Sequence, residues 1–280
     1  MRIGIASFLS EHTPDDGATI DRLVALGHKT EELGFGGVWV GDAMGRGQRA
    51  MDPMVVLACL CSVTQRIELG IAVVQTPLRH PVELAHRAQT LNVLSRGRFR
   101  FGVGAGSTRA DFNLVGANFE DRFKTLRSSI DIMRRAWRGE PENGVALSPW
   151  KSNGGGPPIM LGAWRSPHWV SYAAHHCDGW IASGLYSKWE DLESAVRAYR
   201  RAGGKRAILT NVPLDPRDRP ETMEKWMQPA NISLTGPVTT SRDRLKRIEQ
   251  LGFDDLIVLP PDESPETVEM IAERLRPQAG

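Results

Sequence analysis

Residues 66–107, RIELGIAVVQTPLRHPVELAHRAQTLNVLSRGRFRFGVGAGS, decide the fold. An apolar segment rich in β-branched residues, 67–74, and a second strand-like segment, 98–103, flank one amphipathic segment, 81–94. Apolar runs of this kind are typical of strands that are covered on both faces in a parallel sheet. The stretch therefore predicts a strand, a helix and a second strand parallel to the first, with a loop after each strand.

The second of these strands ends in glycines, at Gly102, Gly104 and Gly106. A glycine lets the backbone approach a ligand closely because it has no Cβ. In parallel α/β folds, ligands bind at the carboxyl ends of the strands. We therefore expect a binding site at this end of the sheet. The site is not of the dinucleotide type, since Ser107 stands where that fingerprint needs a third glycine.

The same alternation of strand and helix patterns continues along the whole chain. The strand candidates are residues 2–8, 37–41, 67–74, 98–103, 158–161, 179–182, 207–212 and 255–259. The helix candidates are residues 20–33, 53–63, 81–94, 122–137, 167–176, 189–202, 240–251 and 265–275. Eight alternations without a reversal predict an α/β fold, a single (β/α)₈ TIM barrel that spans residues 1–280 as one domain.

One long insertion loop follows the fourth helix. Its residues 148–158 read SPWKSNGGGPP, a composition that predicts an irregular connection. Long loops in compact domains often serve as lids over a binding site. We therefore expect residues 143–157 to cover the site and exclude water.

Composition limits the classes of function. The 280 residues carry a net charge of only +2, spread along the chain, so we expect no nucleic-acid partner. No apolar run approaches the roughly 20 residues of a membrane span and no signal peptide is apparent, which predicts a cytoplasmic protein. Cys59-x-Cys61 lacks metal-site spacing, and the adjacent His175 and His176 point about 100° apart on a helix, so we predict no metal site.

Eight short motifs occur in the order expected of one family. They are EELGF with VWVGD (31–42), DPM (52–54), RIELG (66–70), PLRHP (77–81), LSRGRF (94–99), FGVGAG (101–106), PPIMLG (157–162) and DGW (178–180). With them, almost the whole chain resembles the bacterial luciferase-like superfamily of flavin- and deazaflavin-dependent oxidoreductases, which are TIM barrels. The resemblance implies a fold and a class of cofactor, FMN or the deazaflavin coenzyme F420, but no particular substrate.

The resemblance also implies cofactor-binding residues. A non-prolyl cis peptide bond is expected at Ala72-Val73, as a backstop for the middle ring of the isoalloxazine. The cofactor phosphate is expected at the ends of the fourth and fifth strands, where backbone N–H groups and a helix N-terminus attract an anion. The residues implied there are Gly104, Ala105, Gly106, Ser107, Gly162, Ala163, Trp164, Arg165 and Ser166.

The catalytic residues are less well defined. Asp42, Arg79 and His80 are the candidates, since all three follow predicted strands and a histidine titrates near neutral pH. The chain also departs from the family's pattern: Ala43 replaces a common histidine, Ala105 a luciferase arginine, and Ser107 the glutamate of sugar-phosphate dehydrogenases. Neither luciferase nor sugar-phosphate dehydrogenase activity is therefore inferred.

These observations lead to one main hypothesis and two alternatives. The main hypothesis is a luciferase-like oxidoreductase or monooxygenase that transfers a hydride, with or without oxygen insertion, on a small organic substrate. The alternatives are a flavin-binding barrel without catalysis, which the missing histidine at Ala43 motivates, and an unrelated TIM-barrel enzyme with a phosphate ligand. The resemblance further implies a homodimer.

Overall fold

A computed structural model describes residues 1–8, 18–47, 49–153, 155–164, 166–219 and 230–275. Within them the strands are β1 (Arg2–Ser7), β2 (Gly37–Val40), β3 (Glu68–Ile71), β4 (Val74–Gln75), β5 (Phe99–Gly104), β6 (Ile159–Gly162), β7 (Gly179–Ser183), β8 (Ala207–Pro213) and β9 (Asp255–Leu259). The α-helices are α1 (Ala18–Glu32), α2 (Pro53–Val63), α3 (Pro81–Leu94), α4 (Arg109–Val115), α5 (Arg122–Trp137), α6 (Pro167–His176), α7 (Trp189–Arg201), α8 (Val238–Leu251) and α9 (Pro265–Leu275). None of these helices is long and apolar enough to cross a membrane.

The strands close into a parallel barrel. β1 pairs with β2 and with β9, and the pairing continues from β9 through β8, β7 and β6 to β5. β5 then pairs with both β3 and β4, which follow one another along the same position in the barrel. The closed sheet therefore has eight positions, and the predicted TIM barrel is confirmed.

Strand alternation separates an inner core from an outer one. In β2, Trp39 points into the barrel and packs with residues such as Met160 and Ile257. Its neighbours Val38 and Val40 point outwards and pack with residues of the helices. Both layers are apolar because each strand is covered on both faces, as the long apolar runs predict.

The predicted elements agree closely with the observed ones, with two exceptions. The bounds of α2, α3, α5, α6 and α9 are those that the sequence predicts. The predicted third strand, by contrast, is divided by Ala72 and Val73 into β3 and β4. The sequence also failed to predict α4, a seven-residue helix that ends at Gly116 in the left-handed conformation.

The prediction that residues 143–157 form a lid is wrong. Of these residues the structure describes 143–153 and 155–157, in the connection from α5 to β6, and in a barrel the connection from a helix to the next strand lies at the amino end of the strands. The connection packs there against α5 and α3, since a Cβ on Gly156 would lie 2.2 Å from the Trp137 ring. The Trp137 ring in turn donates a hydrogen bond to the carbonyl of Ala85. The loop therefore stabilises the end of the barrel opposite to the expected site.

A charged cluster also occupies the amino end. Arg206 donates to Glu68 and to Asp255, and Arg100 forms a further ion pair with Glu68 at 2.7 Å. Burial raises the pKa of Glu68, but the arginines outweigh it and hold that pKa below its usual value. The cluster ties the beginnings of β3, β8 and β9 together.

Candidate functional site

A cavity of about 480 Å³ opens at the carboxyl end of the barrel. Much of its wall consists of residues at or just after strand ends, together with Thr210 and Asn211 from within β8: Ala72, Val73, Gln75, Gly104, Ala105, Gly106, Ser107, Gly162, Ala163, Trp164, Ser166, Ser183, Thr210 and Asn211. These include ten of the eleven predicted cofactor-binding residues. The eleventh, Arg165, lies outside the described residues.

The floor of the cavity is the junction between β3 and β4. The peptide bond between Ala72 and Val73 is cis, which confirms that prediction. The Val73 side chain is half-buried on the cavity wall, between two glycines on neighbouring strands. A Cβ on Gly104 would lie 2.4 Å from Val73 Cγ2, and one on Gly162 would lie 2.9 Å from Val73 Cγ1. The two glycines therefore make room for the Val73 side chain at the floor.

This packing corrects the role expected for Gly104. The sequence suggested a loop glycine that keeps space free for a ligand, but Gly104 is buried in β5 and pairs with Gln75. A side chain at this position would first strike Val73. Any effect on a bound ligand would follow from the displacement of that valine.

The glycine loop faces a buried amide. Gly106 has a positive φ of 79°, and a Cβ there would lie 2.8 Å from Oε1 of Gln75. The Gln75 backbone N–H donates to Asp42 at 2.8 Å, but its side-chain Oε1 is buried without a hydrogen-bond partner. Buried polar atoms are rarely left unpaired in proteins, so this atom is a candidate ligand contact.

The structure places the three catalytic candidates differently. Asp42 lies on the cavity wall and both of its oxygens are occupied, because Arg79 donates to them at 2.7 and 2.9 Å. Arg79 and His80 are not on the wall, and His80 is exposed at the start of α3. Arg79 is therefore a partner of Asp42, and of the three only Asp42 can contact a ligand in this cavity.

The loop after β2 reaches the cavity through Arg46. Asp111 of α4 accepts hydrogen bonds from the Gly45 backbone at 2.7 Å and from Arg46 Nε at 3.0 Å. Burial of Asp111 raises the pKa of its carboxyl, but these donors outweigh that effect and lower the pKa below its usual value. The helix that the sequence failed to predict thus fixes the position of Arg46.

Asn211 and Arg122 are two further polar side chains on the wall that the sequence did not predict. Asn211, in β8, has a φ of 54°, donates to Ser183 Oγ at 3.2 Å and has a buried Oδ1 without a partner. Arg122, the first residue of α5, lies over the Phe119 ring at 3.9 Å and has a buried Nε without a partner. A polar residue inside an apolar strand and an arginine at a helix start were the available signals for them.

Aromatic side chains form the mouth of the cavity. Trp164 stacks on Tyr186 with ring centroids 4.2 Å apart, and Phe123 stacks on Trp169 at 5.7 Å. All four rings are on the cavity wall. The mouth therefore offers large apolar surfaces with polar tips to a ligand.

The cysteines play no part in this wall. Burial raises the pKa of Cys177 to about 12 and that of Cys61 to about 11, so both are protonated thiols at neutral pH. The described residues contain no group of three or more His, Cys, Asp or Glu side chains placed to hold a metal ion.

Comparison with known proteins gives the family. The family model for luciferase-like monooxygenases matches residues 1–234. The 4-hydroxyprotoasukamycin monooxygenase of Streptomyces nodosus subsp. asukaensis is 34% identical over 50% of this chain and 38% of its own length. A putative coenzyme F420-dependent oxidoreductase of Mycobacterium tuberculosis is 31% identical over 63% of this chain and 56% of its own length.

The match to each of these two relatives spans less than two thirds of that relative's length. Among solved structures, the monooxygenase RslO1 of Streptomyces bottropensis shares the fold, with a TM-score of 0.85, 19% identity and 98% of both chains covered. The alternative of an unrelated TIM-barrel enzyme is therefore wrong. The chain belongs to the luciferase-like monooxygenase family.

Proposed function

We propose that this protein is an oxidoreductase that binds FMN or coenzyme F420 with the ring across the carboxyl end of the barrel. The observation that carries the proposal is the floor of the cavity, where Val73 lies between Gly104 and Gly162. This part of the floor is apolar, and no side chain projects from either neighbour of Val73. It suits one face of a planar ring system.

The remaining wall fits the polar parts of such a cofactor. The ring's pyrimidine edge carries an N–H group, which can donate to the unpartnered Oε1 of Gln75. A phosphate would contact the backbone and hydroxyl of Ser107, the start of α6 after Ser166, and the guanidinium of Arg122. When bound, the cofactor supplies hydride transfer and, in the case of a flavin, reaction with oxygen.

The side chains of the cavity wall bind and orient ligands and do not transfer protons. Asp42 is the only carboxylate on the described wall, and Arg79 occupies both of its oxygens. Asp42 instead holds the Gln75 backbone in place at the floor. The described wall thus has no unpaired carboxylate, histidine or lysine to remove a proton from an alcohol, which favours oxygen transfer over alcohol dehydrogenation.

The relatives support an oxidoreductase, but their names indicate different kinds of reaction. One carries the name of a monooxygenase and the other that of an F420-dependent oxidoreductase. Only a flavin reacts usefully with oxygen, so the identity of the cofactor decides which reaction class applies.

Titration of the protein with FMN, riboflavin and coenzyme F420, followed by absorbance and fluorescence, tests the proposal. We expect saturable binding of one phosphorylated cofactor and a large loss of affinity in Val73→Asp. The loss of stability in that variant should be smaller, because the side chain faces the cavity. The matched control is Val55→Asp on the outer surface, where the valine is 63% exposed.

Each result has a clear meaning. Failure of all three compounds to bind, or equal binding by Val73→Asp, would refute the proposal. Binding without substrate-dependent oxidation of the reduced cofactor would instead favour the non-catalytic flavin-binding barrel that Ala43 motivates.

A further inference from the structure

One side of the cavity is not needed for the cofactor ring. The floor and phosphate residues lie on the junction of β3 and β4 and at the ends of β5 and β6. The neighbouring side is formed by the end of β7, the bulged part of β8, the turn that contains Tyr186, and the Trp164 ring, which follows β6 and stacks on Tyr186. These elements carry a second set of aromatic and polar side chains.

The aromatic part of this side is a stacked pair that remains accessible. Trp164 is 37% exposed and Tyr186 is 41% exposed, although the two rings lie 4.2 Å apart and only 24° from parallel. Exposed rings in a cavity mouth gain the most stacking contact from a ligand whose own ring extends the stack. A flat ligand does so better than a chain or a puckered ring.

The polar part lies next to this pair in the chain and in space. Tyr186 follows Ser183 by three residues, and Ser187, the residue after it, donates to the Trp164 carbonyl at 3.5 Å. Ser183 is buried and accepts a hydrogen bond from Asn211 Nδ2. The other end of that amide, Oδ1, is a buried acceptor without a partner on the cavity wall.

We propose that this side of the cavity binds the substrate, and that the substrate is a planar aromatic compound with a hydroxyl group. Its ring lies against the Trp164–Tyr186 pair and its O–H donates to Asn211 Oδ1. The inference rests on the proposed function, because it requires the cofactor to occupy the Val73 side.

Three probes separate flatness from hydrogen bonding. 2-Naphthol has both features, naphthalene lacks the hydroxyl, and 2-decalol has the hydroxyl on a saturated, puckered frame. Their dissociation constants are measured by calorimetry on protein saturated with whichever of FMN and coenzyme F420 it binds. We expect 2-naphthol to bind about 5- to 10-fold more tightly than either of the other two, as one buried hydrogen bond or one aromatic contact allows.

Two variants assign these preferences to residues. Asn211→Gly removes the acceptor and tolerates the positive φ, so 2-naphthol should bind no better than naphthalene. Tyr186→Leu should abolish the preference for 2-naphthol over 2-decalol. The control is Trp150→Leu, at an exposed tryptophan in the connection at the amino end of the barrel, where all three affinities should stay as in the wild type.

The outcomes distinguish this inference from the proposed function. Equal binding of 2-decalol and 2-naphthol, or equal losses for 2-naphthol and naphthalene in Asn211→Gly, would overturn the inference while cofactor binding stands. Competition between 2-naphthol and the cofactor would also overturn it, because the probe would then occupy the ring site. Absence of cofactor binding would refute the proposed function itself, and with it the division of the cavity on which the inference depends.

Discussion

A double-mutant cycle at Gly104 and Val73 tests the floor of the cavity directly. In Gly104→Ala the new methyl group would lie 2.4 Å from Val73 Cγ2, whereas carbon atoms in contact prefer about 3.5 to 4.0 Å. Val73 must therefore move by about 1 Å, and the open direction is the cavity. Overpacking of this kind costs about 1 to 3 kcal/mol of unfolding free energy.

The second variant removes the atom that clashes. Val73→Ala alone should cost about 1 to 2 kcal/mol, since the side chain is only half-buried. With Cγ2 absent, the methyl group of Gly104→Ala has space, and the strand gains from the replacement of a glycine. The double variant should therefore be about as stable as Val73→Ala, with a coupling energy of about 1 to 3 kcal/mol.

Urea unfolding followed by tryptophan fluorescence measures these free energies. Gly204→Ala is the matched control, because its methyl group would also lie 2.4 Å from a side chain, that of Tyr199. The changes in unfolding free energy caused by Gly204→Ala and Val73→Ala should be additive within about 0.5 kcal/mol. Additive effects of Gly104→Ala and Val73→Ala would show that Val73 does not lie against Gly104 and would refute this description of the floor.

Three further predictions concern charged residues. Arg79→Met removes the cationic partner of the buried Asp42 carboxylate and should cost about 3 to 5 kcal/mol in urea unfolding, whereas Arg87→Met, at an exposed surface pair, should cost under about 1 kcal/mol. The pKa of Asp111 is lowered in the folded protein, so the contribution of its carboxylate to stability is present above the ordinary pKa of 3.8 and is lost as the pH falls through the folded value. Asp111→Asn should therefore lose less unfolding free energy than the wild type below about pH 4. An unchanged dependence of the unfolding free energy on pH would contradict this. Arg122→Met should weaken binding of FMN about tenfold or more and leave riboflavin unchanged, and equal losses for both would show that Arg122 does not contact the phosphate.

The sequence predicted the barrel because the relevant signals are local. Apolar β-branched runs mark the strands, and a proline in the first turn marks the start of α2, α3, α6 and α9. In contrast, α4 has no such signal: it is seven residues long, and its Leu114 and Val115 are exposed. A helix of this length shows no apolar periodicity, so only the packing of Phe112 and Asp111 in the folded protein defines it.

The candidate site was predicted in part. The catalytic candidates that lie outside the cavity do so for one reason. Residue types at strand ends indicated the part of the cavity wall next to β3–β6, since all parallel strands end at the same edge. Which way a side chain points is decided by its partner in the fold. Arg79 pairs with Asp42, 37 residues away, and so lies outside the cavity, while His80 stays exposed.

Two irregular strands explain why the wall contains residues that alternation would direct elsewhere. In a regular strand, neighbouring side chains point to opposite faces. Yet Ala72 and Val73 both lie on the wall where β3 gives way to β4, and so do Thr210 and Asn211 in β8. The pairing of β8 with β9 shifts between Leu209 and Val212, and a bulge of this kind redirects side chains. Each side of the cavity thus contains one irregular strand, which brings Val73 to the cofactor side and Asn211 to the proposed substrate side.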